Sequence, residues 1–291
     1  MALISAEMVK TLRDRTGAGM MDCKRVLADA KGDMERAAEL LRERGLAKAV
    51  KREGRATSEG AIAIALDGAV GGMVEVGCET DFVARTDDFQ RLAAALARAV
   101  AAGPGIDGPE ALLEARLDGE TASERIKGAI AKLGENVVPK RVARLAVDGT
   151  GVVGGYVHAG GKLGVLVALS TTARGAEVIA LARDVAMHVA AADPSPVAVE
   201  RSELPQQLLD SERAIYRVQA EQEGKPAKVI DRIVDGKVNK FAADVCLVEQ
   251  AFVKDPDRSV GDVLGDASKQ AGAPIRVTAF RRFKVGEAAG A

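Results

Sequence analysis

Two histidines, three cysteines and a few glycine runs are the residues here with chemistry to offer, and their spacing limits what that chemistry can be. Gly149-Thr150-Gly151-Val152-Val153-Gly154 satisfies the G-x-G-x-x-G pattern, which holds a dinucleotide pyrophosphate only where a helix N-terminus follows at once. Here Gly155-Tyr156-Val157 continues as strand and Gly160-Gly161 turns it back, so a glycine-rich hairpin is expected, and an NAD-linked enzyme ranks lowest among the readings. Gly160-Gly161-Lys162-Leu163-Gly164 likewise lacks the spacing of a phosphate loop. Cys23, Cys78 and Cys246 are far apart and odd in number, which argues against a disulfide framework or a thiolate metal site and leaves buried neutral thiols as the default. His158 and His188 are too few for a histidine metal cluster or a nucleophile–histidine–carboxylate order. His188, between Met187 and Val189 in a helical stretch, is expected to be a satisfied, partly buried histidine. His158 ends a strand before a glycine turn, exposed enough to touch a partner. No catalytic residue, metal or cofactor is expected.

The stretch with most to say is Gly77 to Arg85, Gly-Cys-Glu-Thr-Asp-Phe-Val-Ala-Arg. It joins an alternating apolar run (Met73, Val74, Val76, Cys78) to an Ala-rich helical pattern from Asp87 to Ala102, and so forms a strand-to-helix corner at a domain surface. Thr80 and Asp81 are both suited to cap a helix by accepting from the free amides of its first turn. On spacing alone, a capped helix with Phe82 as a core anchor is the leading account. The other is a rigid aromatic displayed at a corner, able to bury ~150 Å² or more on another protein and to act as a hot spot.

At 291 residues the chain is long enough for two or three compact units with real cores. Hydrophobic residues make up 47% and charged residues 29%, which excludes wholesale disorder. A formal net charge of -1 builds in no pull on nucleic acid, and 3% aromatics without tryptophan leaves few platforms for stacking bases. No apolar run approaches the ~20 residues of a membrane span, and the N-terminus lacks a basic region followed by an apolar one. A cytoplasmic protein contacting neither membrane nor nucleic acid is expected.

Periodicity and punctuation divide the chain. Helices are expected from Ser5 to Arg15, from about Met21 to Ala30, and from an Asp33 cap to a stop before Gly45, making a small bundle over residues 1–46. Of Met20 and Met21 in the first loop, at least one is expected at the surface, with a gap-filling core role open for the other. Residues 47–60, with Lys48, Lys51, Arg52 and Arg55, suit a linker, its cations forming a solvated helix end or a contact for an acidic partner. A first α+β unit follows over 61–145: a hairpin turning at Asp67-Gly68, the helix from Asp87, a mixed helical stretch from Pro109 to Leu133, and a strand from Val137 to Val147. A rough echo of it, with a helix from Ala176 to Ala191, begins a second α+β unit over 146–194. Residues 195–240 carry two helical patterns around a turn at Gly224-Lys225-Pro226 and suit a hairpin arm. The second unit resumes over 241–286, with strand character in Phe241 to Phe252 and Ile275 to Val285 around a short helix, and 287–291 is a tail expected to fray. The fold class expected is α+β, with small antiparallel sheets.

Thr80-Asp81-Phe82-Val83, preceded by Glu79 and followed by Ala84-Arg85, resembles the signature of the bacterial elongation factor Ts family, which exchanges guanine nucleotide on elongation factor Tu. Leu12 to Lys24, Leu-Arg-Asp-Arg-Thr-Gly-Ala-Gly-Met-Met-Asp-Cys-Lys, resembles that family's other signature. Val157-His158, Gly164 to Val167, Asp184 to Ala191 and Phe283 to Glu287 also match, in order over nearly the full length. The resemblance implies that the bundle is of ubiquitin-associated type and grips the nucleotide domain of elongation factor Tu, while Thr80, Asp81, Phe82 and Val83 disturb its magnesium site. By matching position, Lys10, Arg13, Met20, Met21, Leu133, Gly134, His158 and Val253 join the contact surface, with Lys254 standing where the family pattern calls for an apolar residue. It also implies an arm that can serve dimerisation, and a homodimer through the core or the arm is a second partnership to test.

Exchange needs no acid or base. A factor that lowers its partner's affinity for nucleotide must be bound more weakly, by the same ratio, when nucleotide is present, so the work is differential binding and requires a wedge. The competing class is a scaffold that binds ubiquitin-like or other helical partners without exchange; recovery of no GTPase in a pull-down would favour it.

Overall fold

The computed structural model describes residues 4–52 and 54–287. Helices α1 (Ala6–Thr16), α2 (Met20–Asp29) and α3 (Met34–Val50) form the N-terminal bundle. Ser5 accepts the Met8 N–H at 3.2 Å to start α1, and Gly17, at φ 68°, closes it in the left-handed conformation that glycine adopts without strain. Asp33 accepts the Glu35 and Arg36 amides at 2.9 and 3.0 Å to start α3. Val9, Leu12, Cys23, Val26, Leu27 and Ala37 fill the centre. The expected stop before Gly45 is not found. The third helix runs through it, and the stretch 47–60 starts inside α3 and ends inside the first strand.

Strand β1 (Glu59–Asp67) turns at Gly68 into β2 (Val70–Cys78), followed by a single turn α4 (Asp81–Ala84) and by α5 (Asp87–Ala102). The stretch expected to be mixed helix divides into α6 (Pro109–Glu114), a two-rung hairpin of β3 (Arg116–Leu117) and β4 (Glu120–Thr121), and α7 (Ala122–Leu133). Asp118-Gly119, both at positive φ, is the turn responsible. Strand β5 (Val137–Ala146) completes an antiparallel sheet in the order β1-β2-β5. Gly45 of α3 lies against α7, where a Cβ would come within 2.7 Å of the Ala131 Cβ, so this glycine is a close-packing point rather than a helix end.

The second sheet takes β6 (Gly151–Val157), β7 (Leu163–Ser170) and, from the far end of the chain, β10 (Arg276–Lys284), in the antiparallel order β10-β7-β6. Between β7 and β10 the chain makes α8 (Ala176–Ala191), the two arm helices α9 (Gln206–Gln222) and α10 (Ala227–Val245), the short pair β8 (Ala251–Phe252) and β9 (Asp255–Ser259), and α11 (Val260–Ala271). The strand expected over Phe241 to Phe252 is not formed up to Val245, which ends α10, while Ala251–Phe252 pairs as strand. Val234, Val238, Ala242 and Val245 are all buried, a repeat of four, four and three that belongs to one helix face. The frayed-tail expectation falls mostly on residues 288–291, outside the described residues. Glu287 itself is bound by Arg282 at 2.9 Å.

Strand parity stacks these parts in four layers. Val74 and Val76 face α5 and α7 with Phe89, Leu96 and Ile130, while Met73 faces the other sheet with Ile62, Leu145, Val153 and Leu166. Val165, Val167 and Leu169 face α8, packed with Val178, Val185 and Val189. Two glycines let helices sit directly on strands: a Cβ on Gly72 would lie 2.4 Å from the Ala101 nitrogen, and one on Gly154 would lie 2.4 Å from the Ala182 Cβ. The Gly149–Gly154 run is thus a strand and its turn, as expected.

Candidate functional site

At the end of β2 the chain must turn from strand to helix, and two threonines define how. Thr80 (φ -129°, ψ 155°) caps α4, its hydroxyl accepting the Val83 amide at 3.4 Å. Six residues later Thr86 caps α5 through the Phe89 amide at 3.3 Å and donates to the Val83 carbonyl at 2.8 Å. Between the caps only one turn of helix fits. With Val83 and Ala84 turned to the core, Phe82 stands out at 81% exposure. The core-anchor account of Phe82 is therefore overturned; the buried ring of this corner is Phe89 at 0%. Asp81 does not cap the helix and instead pairs with Arg85 one turn on, at 2.9 Å.

A clasp of two carboxylates fixes the corner from behind. Glu135 accepts the Glu79 amide at 3.1 Å, the Thr80 amide at 2.9 Å and the Thr80 hydroxyl at 2.6 Å. Glu79 reciprocates by accepting the Asn136 amide at 2.7 Å, and the Asn136 side chain donates to the Arg55 carbonyl at 2.9 Å. Carboxylate-to-amide bonds are among the stronger hydrogen bonds, and they replace the ladder the strands give up here. Burial, then the negative charge of Glu135, pushes the Cys78 thiol up to about 12, so it stays protonated and donates to the Thr80 carbonyl at 3.1 Å.

Leu133 and Gly134, also marked in the sequence, adjoin this corner, and the other marked residues lie on neighbouring elements. Leu133 packs against the cluster that holds Val83, and Gly134, at φ 85°, ends α7 directly before Glu135. Lys132 pairs with Asp88 at 2.7 Å and lies beneath the α1–α2 loop, where a Cβ on Gly17 would fall 2.4 Å from its Cε. Just past that loop, the first turn of α2 presents Met20 and Met21 at 58% and 67% exposure, so neither fills the bundle core. Lys10 and Arg13 lie exposed on α1. His158 is exposed at the β6–β7 turn, its Nδ1 3.1 Å from the Tyr156 hydroxyl. This turn leans on the first sheet through a Gly161 carbonyl bond to the Ile62 amide at 2.7 Å and a Lys162–Glu59 pair at 2.6 Å. Glu59 is the register partner of Cys78, so His158 and Thr80 occupy the same ends of the two stacked sheets. Val253 lies on the second unit: at 43% exposure it tops the β8–β9 turn, its amide bound to His188 of α8 at 3.2 Å.

A family model described as Elongation factor TS matches residues 79–287, beginning at the glutamate that opens the corner. Elongation factor Ts of Clostridium perfringens (strain 13 / Type A) is 43% identical over 288 residues, covering 98% of this chain and 94% of the relative. The chain belongs to the elongation factor Ts family. Elongation factor Ts of Thioalkalivibrio sulfidiphilus (strain HL-EbGR7) is 45% identical over 286 residues, 98% of this chain and 92% of that one. That of Chlorobium phaeobacteroides (strain BS1) is 44% identical over 292 residues, 98% and 100%. Membership makes the chain a translation elongation factor of protein biosynthesis.

For this member of the elongation factor Ts family the clasp went unread in the sequence. Glu79 and Glu135 lie far apart in the chain, and Gly134-Glu135-Asn136 carries only the signal of a helix end. Thr86 before two aspartates is a cap signal that the sequence carries. Arg52 and Arg55, for which the sequence offers a solvated helix end or a contact for an acidic partner, bond within the chain: Arg52 donates to the Ile130 carbonyl at 3.1 Å and Arg55 reaches Glu79 at 3.5 Å. The side chain of Lys48 lies outside the described residues. Among the described residues no three histidine, cysteine or acidic side chains converge as metal ligands, and no helix is long and apolar enough to cross a membrane.

Proposed function

We propose that this chain is a cytoplasmic guanine nucleotide exchange factor that binds GDP-loaded elongation factor Tu, disturbs its magnesium and nucleotide site, and promotes GDP release so that GTP can load. The observation that carries the reading is the 81% exposed Phe82 ring on a single helical turn pinned by Glu135. A ring held this way loses little freedom when it enters a pocket, so most of the burial gain is available to oppose the nucleotide. Asp81 beside it supplies a carboxylate near the magnesium region, and Thr80 and Val83 set its angle. Met20 and Met21 with Lys10 and Arg13 contribute an adaptable, cationic grip on the nucleotide domain. Leu133, Gly134 and His158 extend the contact surface, and Val253 adds a contact from across the second sheet. The factor performs no chemical step; reciprocity requires only that Phe82 and nucleotide exclude one another.

The test is release of labelled GDP from elongation factor Tu. The intact chain is expected to speed it, and Phe82→Ala to weaken the effect roughly thirtyfold, the scale of a hot spot worth about 2 kcal/mol. No acceleration by the intact chain would end the proposal. The arm suits self-association in addition, since Ile215 and Val218 on α9 are half exposed at 49% and 51%; sedimentation of the intact chain decides that point.

A further inference from the structure

The buried histidine belongs to a network that the exchange reading leaves idle. His188, in the last turn of α8, is 2% exposed. Its Nδ1 accepts the Val253 amide at 3.2 Å, so the ring proton must sit on Nε2, which donates to the Gln250 Oε1 at 3.0 Å. The Gln250 amide nitrogen then donates to the Asp244 carbonyl at 2.7 Å and to the Pro194 carbonyl at 2.9 Å. Each donor and acceptor of the two side chains has a partner, and burial holds the imidazole below its usual pKa, in the neutral form this pattern requires. The Asp184–Lys254 pair, at 2.5 Å, is the charged contact between α8 and the Val253 turn; Asp244 meets the network through its backbone only.

What matters is which segments converge. Pro194 is where the chain sets out toward α9, and Asp244 is in the last turn of α10 where it comes back. Both ends of the arm are thus hydrogen-bonded to one amide, and that amide is bonded through one imidazole to the turn bearing Val253. Buried networks with every member satisfied hold a single arrangement, because any slip strands a donor in an apolar surround.

We propose that His188 and Gln250 are positioning residues that tie the root of the helical arm and the Val253 turn to one frame, the His188 end of the relay holding the Val253 turn and the Gln250 end holding the arm root. This deepens the exchange reading, on which the role of Val253 as a contact for the GTPase rests. The coupling itself is a property of the isolated chain.

Two substitutions divide the relay. His188→Asn keeps an oxygen near the former Nδ1 for the Val253 amide and falls short of Gln250, whereas His188→Gln keeps a donor near the former Nε2 for Gln250 and abandons Val253. Amide hydrogen exchange reports on Val253. A spin-label pair at Lys225→Cys on the arm tip and Arg98→Cys on α5 reports on arm angle, the three native cysteines being buried. His188→Gln is expected to raise exchange at the Val253 amide roughly tenfold and leave the label distance narrow, while His188→Asn keeps that amide protected and broadens the distance. With the GTPase, His188→Gln is expected to raise the half-saturating concentration roughly three- to tenfold at unchanged maximal release rate, since Phe82 is untouched. If both folded variants leave both reporters unmoved, or disturb both alike, the relay is only packing and the proposal falls. Gln250→Leu, which removes the shared amide while keeping an apolar filler, must broaden the label distance, and a narrow one also overturns it. Failure of the unsubstituted chain to release GDP would remove the exchange reading and leave the exchange and distance reporters to judge the coupling.

Discussion

Glu135 holds three donors that have no other acceptor at the corner, so its effect on Phe82 is indirect but strong. Glu135→Ala is expected to lower stability by about 1–3 kcal/mol in urea unfolding and to slow GDP release while Phe82 remains in place; Glu135→Gln, with only one acceptor oxygen, falls between. His188 sets a pH dependence. Its folded pKa is depressed, so the stability it contributes is full above the unfolded value of about 6.5 and is lost as pH falls through the folded one. Unfolding midpoints at pH 5.5 and 7.5 are expected to differ, and His188→Asn is expected to shrink the difference. Residue type and resemblance together point to Thr80–Val83 and to a displayed ring, whereas spacing alone favours a buried Phe82. A helix of one turn has no periodicity with which to assign a face, and the two threonine caps that decide it act through geometry, not pattern.

Elements with strong periodicity were readable to the residue. Helices α5 and α8 begin and end where the Ala- and Leu-rich repeat predicts, because each repeat matches a buried face. The failures have physical causes of two kinds. Gly45 disfavours helix locally and packing against Ala131 overrules it, whereas Phe241–Val245 holds two helix-favouring alanines and continues the buried stripe of α10, which its flanking Phe and Val obscure in a short window. The β3–β4 hairpin has too few residues to show an alternation at all. Glycines inside regular elements also diverge. Gly72→Ala drives a methyl to within 2.4 Å of the α5 backbone and is expected to cost about 2 kcal/mol or more, whereas Gly236→Ala on α10 meets nothing within 4 Å and is expected to stabilise the chain by about 0.5–1 kcal/mol. Thermal or urea unfolding of the pair decides both.

At the scale of the molecule the two sheets meet along an apolar seam that a buried charge pair of the first sheet reaches into. Glu75, 5% exposed, is bound by Arg141 at 2.6 Å, and the guanidinium lies 4.5 Å from the Phe283 ring centroid and donates to the Lys284 carbonyl at 2.6 Å. Arg141→Ala would leave Glu75 buried without its cation and is expected to lower stability by about 3–5 kcal/mol, while Arg141→Met with Glu75→Leu restores much of it, as urea midpoints would show. None of this seam was legible in the sequence. It brings together strands from all three thirds of the chain, and Glu75 reads locally as one polar residue in an apolar strand.

The arm's two ends touch: the Val197 amide bonds to the Val245 carbonyl at 2.9 Å, and Ala198 bridges Cys246. A loop with so narrow a neck puts no strain on the strands it interrupts, whatever its reach. Its length is therefore free to drift between relatives, or to be replaced by a foreign hairpin of matching span, while β7 and β10 keep their pairing; the body would register the exchange only at the neck.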